Sequence, residues 1–175
     1  ACHDAFMPIL DDHLRQHAND PNRGLARHFI ALPFRPPFAD PVIYENDTIL
    51  KVVEKLVGDK PAIGSYATDT PLNGSVRQDI HADLGDLFPD SELILPIHVV
   101  SVNFPFVDVT TEMGPFEVAR RTHLQPKKLA LERIESGKIS LKPLLLNVGD
   151  VLLRNPYCLH RGTPNQTDTP RPVAI

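Results

Sequence analysis

Gln78-Asp79-Ile80-His81-Ala82-Asp83 is the stretch that decides how the rest of the chain is read. On an extended strand, side chains two residues apart share a face. His81 and Asp83 can therefore aim a ring nitrogen and a carboxylate oxygen at one point, while Ile80 and Ala82 turn toward the scaffold. Imidazole and carboxylate together suit a divalent transition metal such as Fe(II), Mn(II) or Zn(II). Alone, the pair is weak: a half-buried histidine beside a surface aspartate is the plainer reading of any His-x-Asp.

The far end of the chain changes the weighing. Leu159-His160-Arg161-Gly162-Thr163-Pro164-Asn165 carries another histidine, and Thr169-Pro170-Arg171-Pro172 places an arginine eleven residues after it. Two histidines and one carboxylate, with coordination positions left open, are the facial triad of non-haem Fe(II) oxygenases. The expected ligands are His81, Asp83 and His160.

Taken in order, His81-x-Asp83, Glu112-Met113-Gly114-Pro115, Thr122-His123, Gly149-Asp150, His160, Pro164-Asn165 and Arg171 resemble the phytanoyl-CoA dioxygenase family, a branch of the Fe(II)/2-oxoglutarate-dependent oxygenases. The resemblance runs from roughly residue 45 to the C-terminus, and its ordered spacing is more specific than any one motif. It implies a double-stranded β-helix, Fe(II) on the triad, 2-oxoglutarate as cosubstrate and O2 as oxidant. The implied reaction is oxidation of an unactivated C–H bond, by default hydroxylation, with release of succinate and CO2. Desaturation, cyclisation and epoxidation stay open, as does the small-molecule substrate. The family's usual Asn-Gly-Pro and Pro-Gly-Ser/Thr-His stand here as Met113-Gly114-Pro115 and Arg120-Arg121-Thr122-His123. These departures bear on the substrate pocket rather than on the metal.

The resemblance also gives Arg171 the distal carboxylate of 2-oxoglutarate, which a planar guanidinium fork suits. Arg161 adjoins His160 and would face the other way. Asn103 and Gln78 are implied as further cosubstrate contacts. Strand alternation favours Asn103, which shares a face with Ser101, and disfavours Gln78, three residues before His81. Asp83 argues against a halogenase, in which a small residue replaces the carboxylate. A cupin-like Zn(II) hydrolase or lyase would have no use for Arg171. A catalytically silent binding domain is the remaining alternative.

Composition sets the outer bounds. With 175 residues and 42% hydrophobic content, the chain is read as a single oxygenase domain over residues 1–175, incomplete at both ends. A net charge of −4 with no long basic run excludes a nucleic-acid partner. No apolar stretch reaches membrane-spanning length, so no membrane partner is expected. Cys2 and Cys158 are the two cysteines, far apart, which suggests a reducing compartment, the cytoplasm. The oligomeric state is left open.

Many short strands and 18 prolines against 9 glycines predict a mainly β, double-sheet jelly roll with a few flanking helices. Helices are expected over 6–18, over 48–57 behind an Asn46-Asp47-Thr48 cap, and over 126–136 up to Gly137. Strands are expected at 61–69, 77–84, 93–104, 115–118, 139–146, 150–154 and from 173. Residues 19–41 read as loop, 84–92 as a loop that could act as a lid, and Asn147–Asp150 as a hairpin turn.

Overall fold

The computed structural model describes residues 1–20, 23–85, 87, 88 and 93–175. Its helices are α1 (Cys2–Gln16), α2 (Pro41–Tyr44), α3 (Asp47–Val57) and α4 (Lys127–Glu135). Its strands are β1 (Arg27–Ala31), β2 (Ala67–Pro71), β3 (Ser101–Pro105), β4 (Phe116–Ala119), β5 (Leu141–Leu144), β6 (Leu152–Arg154), β7 (His160–Arg161) and β8 (Val173–Ala174). They form an antiparallel five-stranded sheet in the order β1-β2-β8-β3-β6 and an antiparallel three-stranded sheet in the order β5-β4-β7. This is the mainly β, two-sheet jelly roll expected, without closure into a barrel.

Period-two alternation decides what each sheet face carries. On the large sheet, Asp69 of β2, Asn103 of β3, Leu152 and Arg154 of β6, and Val173 of β8 line a cavity. The opposite face, with Ile30, Phe104 and Ala174, packs against Phe6 and Leu10 of α1. Phe6 and Leu10 are 0% and 1% exposed, and each such burial contributes about 1.5–3 kcal/mol. On the small sheet, Phe116, Leu144 and His160 line the same cavity. Its other side, Ala119 and Leu159, packs against Ala130 of α4. Ile80 and Ala82 join that outer cluster, as their alternation with His81 and Asp83 predicts.

Helix α3 begins where expected, with the Asn46 side chain accepting from the Thr48 and Ile49 N–H groups, and stops at Gly58 with φ +96°. Elsewhere the structure departs from the sequence expectations. β1 lies inside the span read as loop, because its prolines flank residues 27–31 without interrupting them. The strand expected at 61–69 pairs only from Ala67, and that expected at 93–104 only from Ser101; apolar character alone does not supply a ladder partner. β5 and β6 flank a tight turn, with Asp150 N–H donating to the Asn147 carbonyl at 2.9 Å, but they belong to opposite sheets and make no hairpin. β8 is the middle strand of the large sheet. Residues 77–84 make one antiparallel bridge, His81 with His160, rather than a strand. The lid expected at 84–92 lies in part outside the described residues, at 86 and 89–92. Among the described residues, no helix is long and apolar enough to cross a membrane.

Candidate metal centre and cosubstrate cavity

Main-chain hydrogen bonds join the two metal motifs. Gln78 N–H donates to the Gly162 carbonyl at 3.0 Å, His81 and His160 exchange bonds at 2.9 Å each, and Asp83 N–H donates to the Pro156 carbonyl at 3.0 Å. The segment 78–83 thus runs against the approach to β7 and its far side. Its donors fall at residues 78, 81 and 83, an irregular spacing that lets Gln78 share the cavity wall with His81 and Asp83.

Ligand atoms of His81, Asp83 and His160 all lie within 4.8 Å of one another. His81 Nδ1 sits 2.8 Å from the Asp79 carbonyl, and His160 Nδ1 2.8 Å from the Cys158 carbonyl. A carbonyl only accepts, so both Nδ1 atoms carry a proton, and the Nε2 atoms are the ones that a metal would take, in place of any proton there. His160 Nε2 is 3.2 Å from Asp83 Oδ1. Burial pushes the His81 pKa below its ordinary value, which favours the neutral ring a metal needs. Burial pushes Asp83 up, but the hydrogen bond from His160 and the Arg154 charge outweigh it and hold the carboxyl well below the usual range. A carboxylate and two imidazole Nε2 atoms are a donor set that fits Fe(II).

Arg171 reaches the same cavity from the segment before β8, with its side chain 3% accessible. Asn165 fixes that segment: its Nδ2 donates to the carbonyls of Pro71 (3.1 Å) and Thr169 (2.8 Å), and its N–H to Ser75 Oγ (2.9 Å). Gly114, with φ +72°, packs beneath it; a Cβ there would meet the Thr163 carbonyl oxygen at 2.5 Å. This is the physical content of the Gly114-Pro115 and Pro164-Asn165 motifs. Burial lowers the Arg171 pKa to about 10, against the opposing charge of Asp69.

Asn103 and Gln78 also line the cavity. Asn103 Oδ1 accepts from Ser101 Oγ at 3.2 Å and from Arg154 Nε at 3.3 Å. Gln78 Oε1 accepts from Gly162 N–H at 2.9 Å. Arg161 Nε instead donates to Glu117 Oε2 at 2.7 Å, and the residue is absent from the cavity wall.

Four charged residues escaped the sequence reading. Asp69 accepts from Arg27 Nη1 at 2.8 Å and from Arg171 Nη2 at 3.3 Å, both on Oδ2. Arg27 is 0% exposed, donates to the Thr163 carbonyl at 2.7 Å, and leaves no room for a Cβ at Gly162. Arg154 Nη2 lies 2.5 Å from Asp83 Oδ2. Arg23 stands at the cavity wall with its guanidinium 4.4 Å from the centre of the Phe29 ring. For Arg154 there was one signal, a charge ending the apolar run Val151-Leu152-Leu153 on the face of Leu152.

The phytanoyl-CoA dioxygenase (PhyH) family model matches residues 3–173. Among solved structures, EvdMO1 is similar with a TM-score of 0.68 and 17% identity, over 98% of this chain and 41% of that one. The non-heme alpha ketoglutarate dependent carbocyclase SnoK from nogalamycin biosynthesis is similar with a TM-score of 0.69 and 15% identity, over 98% and 72%. HygX from Streptomyces hygroscopicus, with nickel, 2-oxoglutarate and hygromycin B bound, is similar with a TM-score of 0.62 and 19% identity, over 95% and 75%. The chain thus spans less than half the length of EvdMO1 and about three quarters of the other two. The match over residues 3–173 assigns the chain to the phytanoyl-CoA dioxygenase (PhyH) family of non-haem iron, 2-oxoglutarate-dependent oxygenases.

Proposed function

We propose that this chain is the oxygenase domain, residues 1–175, of an enzyme that hydroxylates an unactivated C–H bond of a small organic molecule, with release of succinate and CO2. The observation that supports it is one cavity walled by His81, Asp83 and His160 and also by Arg171. A buried arginine in the same cavity as the three candidate ligands suits a cosubstrate that carries a second carboxylate.

Bound iron, with 2-oxoglutarate and O2, supplies the oxidising power for such a bond. The chain's own residues do the rest. His81 and His160 offer Nε2 atoms whose direction is set by the carbonyls behind their Nδ1 atoms, and Asp83 completes a three-ligand face. Arg171 holds the distal carboxylate of the cosubstrate through its planar fork. The Asn103 amide and the Gln78 Nε2 donor supply further contacts. Val109, Phe116, Leu144, Leu146 and Leu152 exclude water from the cavity.

A larger, mostly apolar groove shares His81, Asp83 and Gln78 with the cavity and is walled by Ile49, Val53, Tyr66 and Val102, which gives a small organic substrate access to the metal. The free thiols Cys2 and Cys158 suit a cytoplasmic protein. Succinate formation from 2-oxoglutarate under air with Fe(II) tests the reading, first uncoupled and then with candidate substrates. The parent makes succinate and the Asp83→Gly protein makes none; equal rates in the two would refute it.

A further inference from the structure

Arg154 is a buried cation at the metal end, and the function proposed above leaves it unassigned. It ends β6, lies in the wall of the cavity, and its side chain is 7% accessible. Its three nitrogens are spent unequally. Nε donates to Asn103 Oδ1 at 3.3 Å, and Nη2 meets Asp83 Oδ2 at 2.5 Å. Nη1 is buried without a partner. The guanidinium is held in place from a third side by Phe116, with Cζ 5.0 Å from the ring centre. A buried N–H with nothing to donate to is costly, and a charged one more so.

Charge counting gives the unfilled position a sign. Before a metal binds, Asp83 balances Arg154. A divalent metal on His81, Asp83 and His160 takes a share of that carboxylate, leaving the metal and Arg154 with three positive charges against one negative. At the other end Arg171, backed by Arg27, faces Asp69, an excess of one positive charge to which Arg23 at the cavity wall adds another. Both ends are then short of an anion, and a dicarboxylate supplies one to each.

We propose that Arg154 makes the metal end a second carboxylate site, in which Nη1 donates to the metal-chelating carboxylate of 2-oxoglutarate while Arg171 takes the distal one. The assignment rests on the oxygenase reading above. It treats Arg154 as a binding residue, not as a prop for Asp83 alone.

Oxalate separates the two ends, because it carries the chelating half of the cosubstrate and nothing for Arg171. The experiment titrates 2-oxoglutarate and oxalate into Ni(II)-saturated protein by calorimetry, without turnover. Arg154→Met weakens both ligands by about ten- to hundredfold, the usual effect of losing a charged hydrogen bond. Arg171→Ala weakens 2-oxoglutarate alone. Should Arg154→Met fail to take up metal, Arg154→Gln still offers Asp83 a donor but no charge, and it weakens oxalate at least severalfold. Oxalate affinity equal to the parent's in a metal-loaded Arg154 variant overturns the proposal, as does loss of 2-oxoglutarate affinity without loss for oxalate. If the parent binds 2-oxoglutarate no better with metal than without, the oxygenase reading itself falls.

Discussion

Asp69 and Asp83 are two carboxylates on the wall of one cavity, and the protein holds them differently. Asp69 receives Arg27 and Arg171 on the same oxygen, and its other oxygen is buried without a partner. Asp83 receives His160 on Oδ1 and Arg154 on Oδ2. Its side chain is 31% accessible against 14% for Asp69. Burial raises both acids, yet the neighbouring positive groups win and both sit below the usual carboxylate range. The difference lies in what can exchange. At Asp69 two arginines share one anion, so an incoming carboxylate finds a cation already in place. At Asp83 the partners are themselves a candidate ligand and an arginine, so a metal enters by re-partnering the carboxylate. One end is preset and the other is assembled on loading.

The largest effects belong to the assembled end. His160→Ala removes one of the three proposed ligands, and Asp83→Gly removes the only anionic one among them. Both variants lose stoichiometric Fe(II) and all succinate formation while the metal-free protein keeps its fold, as metal analysis and circular dichroism will show. Full metal occupancy and turnover in His160→Ala would break the comparison at its first term.

At the preset end the effect is graded. Arg171→Ala raises the 2-oxoglutarate concentration needed for half-maximal turnover by about ten- to hundredfold, the consequence of losing about 1.5–3 kcal/mol of charged hydrogen bonding. Fe(II) affinity stays near the parent's. Arg161→Ala, whose partner is Glu117, does much less; the reverse ranking would mean the wrong arginine had been assigned.

How much of this was legible depended on range. Period two along 80–83 sufficed to turn His81 and Asp83 one way and Ile80 and Ala82 the other, because alternation is local. The α3 cap was legible for the same reason: Asn46 bonds to residues two and three positions on. The bridge between His81 and His160 was not, since a main-chain bond between distant segments leaves no local pattern; His160 was reachable only through the order of motifs. Asn147–Asp150 has the chemistry of a chain reversal. That chemistry says nothing about which sheet each flanking strand joins, so the hairpin expectation failed. Asp69, Arg27 and Arg154 were missed for a related reason. Each looks in sequence like a charge on a solvated strand face, and only the second sheet lying over that face buries it.

The smallest effect is the most informative about the preset end, because it comes from a residue outside the cavity wall. Arg27 holds Asp69 at 2.8 Å, whereas Arg171 holds it at 3.3 Å. The closer arginine therefore takes most of the carboxylate and leaves Arg171 available for the cosubstrate role proposed for it. In Arg27→Met, Asp69 keeps a single cation, Arg171, and draws it closer. The carboxylate is not stranded, so the full penalty of an unpaired buried charge does not arise. That end of the cavity instead loses one positive charge, and the guanidinium proposed to bind 2-oxoglutarate is already engaged. The expected result is a weakening of roughly three- to tenfold, on the order of 1 kcal/mol, in 2-oxoglutarate binding to Ni(II)-loaded protein. A purely structural role for Arg27 would show instead as lost thermal stability, because the Thr163 carbonyl loses its donor and the space beside Gly162 empties. The second substitution separates the two. Adding Asp69→Asn removes the competing charge, so the double variant should return to within about twofold of the parent in cosubstrate affinity while staying as unstable as Arg27→Met. Affinity that stays low in the double variant would mean that Arg27 supports the fold and does not set the charge that Arg171 offers.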